Sequence, residues 1–262
     1  MENTKYVTRL YVLLRRLNSI EPDILTSIYN FAVIPRLDCP EDKVFEYIRP
    51  LPDPRDNAIK SYGFMKCKSK MIILDNDVVE IGPGAFQNAA LSDIVFPDGL
   101  LCIADCAFVE TNLKKLVLPS SLKALGDSAF HCNWNLETLV IPDSVVYAGI
   151  GAFAHNEALR NVSIGRGLTS LSETMFDGCT NLDNVVIPDT VINISACAFR
   201  ACESLETIHI PNSVRFIGEH VFYGCEALKE VSIPAGCRYN TNMRYSTFPP
   251  WTKLIRRTPA FN

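Results

Sequence analysis

The sequence predicts a solenoid, in which short repeated units stack into one elongated body. A phenylalanine recurs at steps of 22 or 23 residues, and a small or aliphatic residue mostly precedes it. A leucine that opens the pattern Leu-x-x-aliphatic-x-aliphatic-Pro recurs with the same period. Periods of this length are typical of repeat proteins whose units bury their apolar faces only against neighbouring units. The recurring phenylalanines are Phe64, Phe86, Phe108, Phe130, Phe153, Phe176, Phe199 and Phe222.

Each of these leucines begins a segment that predicts a short strand. Between Leu136 and Pro142, aliphatic residues at positions 139 and 141 give the two-residue period of a strand with one buried face. The proline removes a hydrogen-bond donor and ends the strand. Asp75 and Gly165 take the proline position in two coils. We therefore expect parallel strands stacked about 4.8 Å apart.

A second signal lies between the strand and the phenylalanine. An aliphatic residue stands five positions before the phenylalanine, and a small residue such as Gly82, Gly126 or Gly149 follows it in most coils. Glycine permits a tight turn there. The alanine that commonly precedes the phenylalanine leaves space for the ring inside the coil.

These features resemble the BspA-like class of leucine-rich repeats. The segments "LETLVIPDSVVYAGIGAFAHN" and "LETIHIPNSVRFIGEHVFYGC" follow that class's pattern, L-x-x-[IL]-x-[IL]-P-x-x-[VL]-x-x-[IL]-G-x-x-[AV]-F-x-x-C. The resemblance covers residues 56–237, which we assign to the leucine-rich-repeat solenoid. It implies an open, curved solenoid with short parallel strands on the concave face. The convex face would carry turns and short extended or 3-10 segments, and members of the class mostly bind proteins or surfaces.

The position three residues after the phenylalanine carries asparagine in two coils and cysteine in the next three. In leucine-rich repeats this position turns inward and its side chain bonds backbone groups of the loop, so we expect a ladder of buried thiols. Disulfides between neighbouring coils, which need an oxidising compartment, and metal binding are the alternatives. The residues are Asn133, Asn156, Cys179, Cys202 and Cys225.

The two ends of the chain depart from the repeat. Residues 1–55 predict a helical N-terminal cap followed by a proline-rich connection, because apolar residues up to position 34 fall at helical spacing. Residues 22–34 are also similar to the start of an F-box, which would make the protein a substrate adaptor of a ubiquitin ligase. Residues 238–262 predict a degenerate terminal repeat and tail, in which Trp251 closes the last coil and Arg256 and Arg257 form a solvated end.

The composition and charge of the chain limit which kinds of partner and which compartments are expected. The net charge of −4 and the pI near 5.6 provide no electrostatic attraction for nucleic acid. No uninterrupted run of 18 apolar residues occurs, so membrane insertion is not expected. The apolar residues 10–14 are bracketed by arginines and followed by no small-residue cleavage site, so no secretion signal is predicted. We expect a cytoplasmic or nuclear protein.

The sequence offers little for catalysis. Its four histidines lie in different coils, whereas catalysis needs convergent side chains at a cleft. Cys132 and His155 share a repeat position in adjacent coils, and a nucleophile pair or partial zinc site there is a minor alternative. We expect no enzyme activity, no cofactor and no metal.

The candidate binding surface consists of the strand residues that lie between the buried aliphatic positions. Their charges alternate from coil to coil, and valines form a stripe along the middle. A generic exposed sheet of β-branched residues has this composition, and so does a docking face with an apolar centre and a charged rim. The candidate partner-binding residues on the concave face are Lys114, Lys115, Val117, Glu137, Val140, Arg160, Asp183, Val186, Glu206, His209, Lys229 and Glu230.

We therefore expect a non-enzymatic protein–protein interaction module, monomeric or weakly oligomeric, that binds another protein through this face. The partner's identity is open. A preformed surface of this kind avoids the cost of ordering a loop on binding. A cell-surface adhesin or glycan binder is the alternative from a different functional class, and it would require paired thiols and a route out of the cell.

Overall fold

The computed structural model describes the backbone of residues 45–48 and, in full, residues 58–59, 61–242 and 246–257. This part of the chain forms a parallel β-solenoid in which most coils contribute strands to two sides, and one coil contributes only a bridge at Val117 to one of them. All strand pairs are parallel and join a coil to its neighbour, as the repeat predicts. The predicted helices within residues 1–34, including the F-box-like segment 22–34, lie outside the described residues.

The longer strands form one side of the solenoid, which we call the strand face. Asp93 and Val95 in one of these strands point to solvent and Ile94 points inward, and four other strands repeat this pattern. Numbered in chain order among eighteen described strands, those of the strand face are β1 (Phe45–Ile48), β3 (Met71–Leu74), β5 (Asp93–Val95), β8 (Thr138–Val140), β10 (Asn161–Ser163), β12 (Asn184–Val186), β14 (Thr207–His209), β16 (Glu230–Pro234) and β18 (Lys253–Arg257).

Two-residue strands form a second side, where the sequence predicts short extended segments. The first eight end on the aliphatic residue five positions before the phenylalanine, which points into the core, and the last ends on the half-buried Tyr239. These strands are β2 (Ala58–Ile59), β4 (Glu80–Ile81), β6 (Cys102–Ile103), β7 (Ala124–Leu125), β9 (Tyr147–Ala148), β11 (Ser170–Leu171), β13 (Asn193–Ile194), β15 (Phe216–Ile217) and β17 (Arg238–Tyr239).

The turns around the phenylalanine form a third hydrogen-bonded side. The backbone N–H groups of Ser128, Phe130 and Cys132 donate to carbonyls of the next coil at 2.8, 2.8 and 3.0 Å. Backbone hydrogen bonds hold adjacent chains at roughly 4.8 Å. Such bonds occur on all three sides, and on the strand face they group the strands into three sheets, β1-β3-β5, β8-β10-β12 and β14-β16-β18.

Each of the first eight coils has left-handed backbone two residues before and two residues after its phenylalanine. Glycine occupies four of these positions and other residues occupy twelve, with φ between 53° and 60° at the twelve. L-residues adopt this conformation at a cost of about 1–2 kcal/mol. Hydrogen bonds between coils offset this cost, because the left-handed residues direct the backbone N–H groups of the turn toward the next coil. The residues other than glycine are Tyr62, Lys66, Asn88, Cys106, Glu110, Ser128, Cys132, His155, Thr174, Cys197, Ala201 and His220.

The phenylalanine ladder occupies the interior. Neighbouring rings from Phe64 to Phe248 stack with centroids 5.0–5.9 Å apart and planes within 14° of parallel. The seven rings from Phe86 to Phe222 have no solvent exposure. Leucines and isoleucines of the two strand ladders surround them and complete one continuous core.

The glycines that follow the aliphatic residue are required by close packing. Gly126 and Gly149 do not have left-handed backbone, so the predicted turn conformation does not explain them. A Cβ at Gly149 would lie 2.4 Å from the backbone nitrogen of Asp127 in the preceding coil. At Gly149 the two coils therefore approach too closely for a side chain, whereas Ala104, Ser172 and Ser195 take the equivalent position in other coils.

We expect Gly149→Ala to lower the free energy of unfolding by about 1–3 kcal/mol, because overpacking forces the backbone to shift. Gly236→Ala is the matched control, since a Cβ there meets nothing within 4 Å. Urea unfolding of both variants measures the difference. Equal stability of the two variants would contradict the close-packing explanation.

The last described coil is closed by a residue other than the predicted one. Trp251 is 57% exposed, so the prediction that it closes the coil is wrong. Phe248 stacks on Phe222 at 5.3 Å and is buried, while the Tyr239 ring packs edge-on against it. The guanidinium of Arg256 lies over the Tyr239 ring at 5.2 Å from its centroid. At the other end, strand β1 lies within the stretch that the sequence predicts as a proline-rich connection.

Candidate functional site: the strand face

The structure places the predicted binding residues together on the strand face. All are exposed except Glu230, which is half-buried. They form three columns that run along the solenoid, one residue of each column per coil. The outer column is Lys114, Glu137, Arg160, Asp183, Glu206 and Lys229. The middle column is Lys115, Thr138, Asn161, Asn184, Thr207 and Glu230. The valine column is Val117, Val140, Ser163, Val186, His209 and Ser232.

The valine column is the apolar part of the face. Val117, Val140 and Val186 are 78%, 62% and 55% exposed, although they are in register with neighbouring strands. Their side chains point away from the core, so the stability of the fold does not require them to be apolar. Ser163 interrupts the column between two of these valines and is also exposed.

The middle column is uncharged in its central four coils. Thr138, Asn161, Asn184 and Thr207 are exposed there, and the Asn184 amide donates to Asn161 Oδ1 at 3.3 Å. Threonine and asparagine provide both donors and acceptors. This part of the face is therefore polar without favouring a partner of either charge.

The charges of the face differ in how they are satisfied. Lys229 Nζ lies 3.1 Å from Glu206, and Lys253 Nζ lies 3.2 Å from Glu230, so these residues pair within the chain. Within the described residues, the other four charges of the outer column make no ion pair. These are Lys114, Glu137, Arg160 and Asp183.

Arg257 reaches onto the face from the last coil, which the sequence analysis did not predict. Its NH2 group donates to the Ile210 carbonyl two coils away, and its NH1 group lies 3.3 Å from His209 Nε2. Arg257 takes the proline position of its coil, so only the departure from the repeat marks it in the sequence. The expectation of a solvated end is wrong for this residue, which is half-buried.

Inside the coils, the position three residues after the phenylalanine forms the expected ladder. Cys179, Cys202 and Cys225 are free and buried, and each Sγ lies 3.1–3.4 Å from the carbonyl of the phenylalanine one coil earlier. Asn133 and Asn156 make the same bond through their amides. The described cysteines at this ladder position are therefore thiols, with one exception: Cys67, in the first full coil, is disulfide-bonded.

Burial raises the pKa of the Cys179 thiol to about 12 and raises that of Cys102 and Cys202 as well. Since the thiolate is the reactive form, we expect iodoacetamide at pH 8 to spare these three thiols in the native protein. The partly exposed Cys106 and Cys132 should react first, and mass spectrometry of the alkylated peptides measures this order. Native labelling of Cys179 as fast as Cys132 would contradict it.

The same shift makes stability depend on alkaline pH. An unfolded thiol loses its proton near pH 9, whereas Cys179 keeps its proton up to about 12. The unfolded state therefore binds fewer protons between these values, and stability falls as the pH rises through that window.

Three of the four histidines, His131, His155 and His220, lie at the turn edge, whereas His209 lies on the strand face. The His131 and His155 rings are 5.2 Å apart, and burial together with His155 lowers the pKa of His131. The nearby Asp177 carboxylate is buried and held by a bidentate pair with Arg200. Among the residues that the structure describes, no group of three or more metal-binding side chains comes together. Cys132 and His155 therefore belong to no such group.

The fold and the site define a class of protein: a repeat scaffold that presents a long face built from successive parallel sheets. No helix in the described ranges is long and apolar enough to cross a membrane. The sequence profile of the BspA type leucine rich repeat region matches residues 57–183 and 169–255, with six copies. The chain belongs to this family, whose members are typically non-enzymatic scaffolds of the interaction or adhesin type.

Two solved structures are similar in fold. A leucine-rich repeat protein from Bacteroides ovatus is 28% identical with a TM-score of 0.59, and the match covers 75% of this chain and 59% of that one. A leucine-rich repeat protein of T. pallidum is 29% identical with a TM-score of 0.58, and the match covers 62% of this chain and 78% of that one. No protein with a curated description matches the sequence.

Proposed function

We propose that the protein is a binding scaffold whose strand face docks another protein, in the cytoplasm or nucleus. The observation that carries this proposal is the column of exposed valines, which the core does not use. An apolar strip bordered by polar and charged columns has the composition of an interface, with a centre that excludes water and a rim that sets register.

The face is also preformed. Its central strand, β10, is hydrogen-bonded to β8 and β12, and the phenylalanine ladder lies in the core beneath the face. Binding to such a surface orders few side chains, since valine and threonine have little rotamer freedom to lose. The partner's affinity is then limited chiefly by how well its own surface matches the columns.

The test compares partners captured by the full chain and by a variant of the face. Val140→Glu with Val186→Glu places two charges in the apolar column without touching the core. Ile192→Glu is the matched control, because Ile192 is 44% exposed and lies off the strand face. We expect the double variant to lose a partner that the wild type and the control retain, with all three proteins folded by circular dichroism.

Retention of every partner by the double variant would overturn the proposal. The partner should then be sought at the turn edge or the second side. A partner lost by the control as well would place binding off the strand face and would also count against the proposal.

The disulfide at Cys67 favours a second candidate function, that of an exported surface scaffold, because disulfides persist in oxidising compartments. The test is a thiol count on denatured, unreduced protein from its native source. All ten cysteines reactive would support the intracellular proposal. A count two lower would support export and remove the cytoplasmic assignment.

A further inference from the structure

We propose that the partner of the strand face is a second copy of this chain, bound face to face about a two-fold axis. The axis lies along the strand direction and passes between the coils of Glu137 and Arg160. This inference rests on the proposed function and names its partner. The inference starts from four charged residues of the outer column that form no ion pair within the described part of the chain.

The order of these charges is self-complementary. Along the solenoid the outer column reads positive, negative, positive, negative at Lys114, Glu137, Arg160 and Asp183. Each of these residues comes from a successive coil, so the four are evenly spaced. Reversing the order of the coils while keeping the column in place exchanges the signs at every position.

A two-fold axis along the strands performs this reversal. It turns one face toward the other, inverts the order of the coils and leaves each column opposite the same column. Lys114 then faces Asp183 of the second copy, and Glu137 faces Arg160. Because the interface is isologous, each contact occurs twice, and all four charges are paired with the opposite sign.

The other two columns are compatible with the same axis. In the valine column, Val117 faces Val186 and Val140 faces Ser163, so apolar groups meet and no charge is buried. In the middle column, Thr138 faces Asn161, which joins hydroxyl and amide groups that can donate and accept. No like charges oppose each other within these four coils.

The charges outside the four coils support the assignment. Glu206 already pairs with Lys229, and Glu230 pairs with Lys253, within the chain. If alternating charge served only to neutralise neighbouring coils, the four central residues would pair in the same way. They do not, and they are the residues that the two-fold axis pairs between copies.

The shape of the face permits the contact. Strands β8, β10 and β12 form one sheet and Val117 bridges to Val140, so two faces can approach along these four coils. The four coils, about 4.8 Å apart and three residues wide, bury roughly 200–250 Å² per copy, below the ~800 Å² of stable complexes. The dimer is therefore weak, and salt weakens it further because its ion pairs are at the surface.

The experiment uses sedimentation equilibrium of the full chain at low and high salt. We expect wild type to dimerise reversibly at low salt and the association constant to fall several-fold at 0.5 M salt. Glu137→Arg and Arg160→Glu each place like charges opposite one another twice. Each should weaken association by about 30-fold or more, since opposed like charges cost several kcal/mol.

A mixture of the two single variants provides the decisive measurement. In the mixed dimer, arginines at positions 137 and 160 of one copy face glutamates at 160 and 137 of the other, so association should return. A folding defect in either variant would not be rescued by mixing. Arg215→Glu is the matched control: Arg215 is exposed, lies off the strand face and should leave dimerisation unchanged.

A monomeric wild type at the highest soluble concentration and low salt would overturn the self-association. So would single variants that associate like wild type, or a mixture that stays monomeric. None of these outcomes bears on capture by the Val140 and Val186 variant. A foreign partner lost by that variant, with a monomeric wild type, would keep the proposed function and reject the second copy as its partner.

Discussion

Replacing Phe153 with alanine is expected to lower the free energy of unfolding by about 3–5 kcal/mol, the usual cost of removing a buried aromatic ring. Phe153 has no solvent exposure and stacks between Phe130 and Phe176 at 5.6 and 5.9 Å. The deletion therefore opens a cavity and breaks two ring contacts, each worth about 0.5–1.5 kcal/mol beyond burial. Urea unfolding followed by circular dichroism measures the loss.

The position of Phe153 makes the result informative. Around Phe153 the strands pair only with those of adjacent coils, so a defect there interrupts coupling between the two halves. We expect the unfolding transition of the variant to broaden or separate into two steps. Tyr223→Ala is the control, because Tyr223 is an exposed aromatic residue next to the ladder and its loss should cost at most about 0.5 kcal/mol. A similar loss in both variants would contradict the role of the ladder.

Replacing Asn156 with alanine is expected to cost about 2–4 kcal/mol, although it removes little apolar area. The Asn156 amide donates to the Phe130 carbonyl at 3.1 Å and to the Phe153 carbonyl at 2.8 Å, and its oxygen accepts from the Asn133 N–H at 2.7 Å. Alanine leaves the Phe130 carbonyl and the Asn133 N–H without this partner, and each unsatisfied buried group costs about 1–3 kcal/mol. Thermal and urea unfolding measure the effect.

Two further variants isolate the cause. Asn156→Cys should recover part of the loss, because Cys179 makes the equivalent bond to Phe153 with its thiol at 3.4 Å. Asn181→Ala removes a comparable amide-to-carbonyl bond, to Glu157 at 2.8 Å, at an exposed site where water can replace it. We expect that control to change stability by no more than about 0.5 kcal/mol. Equal losses for Asn156→Ala and Asn181→Ala would exclude burial as the reason.

The regular part of the fold was predictable from sequence because each coil buries apolar residues at the same repeat positions. The recurring phenylalanine correctly predicted the ring ladder, and the Leu-x-x-aliphatic-x-aliphatic-Pro segment correctly predicted the strand face. The repeat period predicted which residues share a column. The inward position of Cys179 and its neighbours followed from the family resemblance and is confirmed.

The details that depend on contacts between coils were not predictable. Gly149 looks like a turn glycine in sequence, and only the distance to Asp127 shows that packing requires it. Arg257 looks like a free end, because nothing local reveals that its side chain spans two coils to Ile210. The unpaired state of Arg160 is likewise a property of geometry, since the same alternation of charge gives an internal pair at Glu206 and Lys229.

The hydrogen bonds on all three sides have a consequence for how the chain folds. Nearly every backbone bond between coils joins residues 21–24 apart, less than about a tenth of the chain, and such short separations favour rapid folding. Any two adjacent coils can serve as a nucleus, and each later coil adds a whole turn of bonds at once. We expect amide hydrogen exchange to be slowest in the central coils and to accelerate toward the final strand, Lys253–Arg257, whose outer edge pairs with no other described strand.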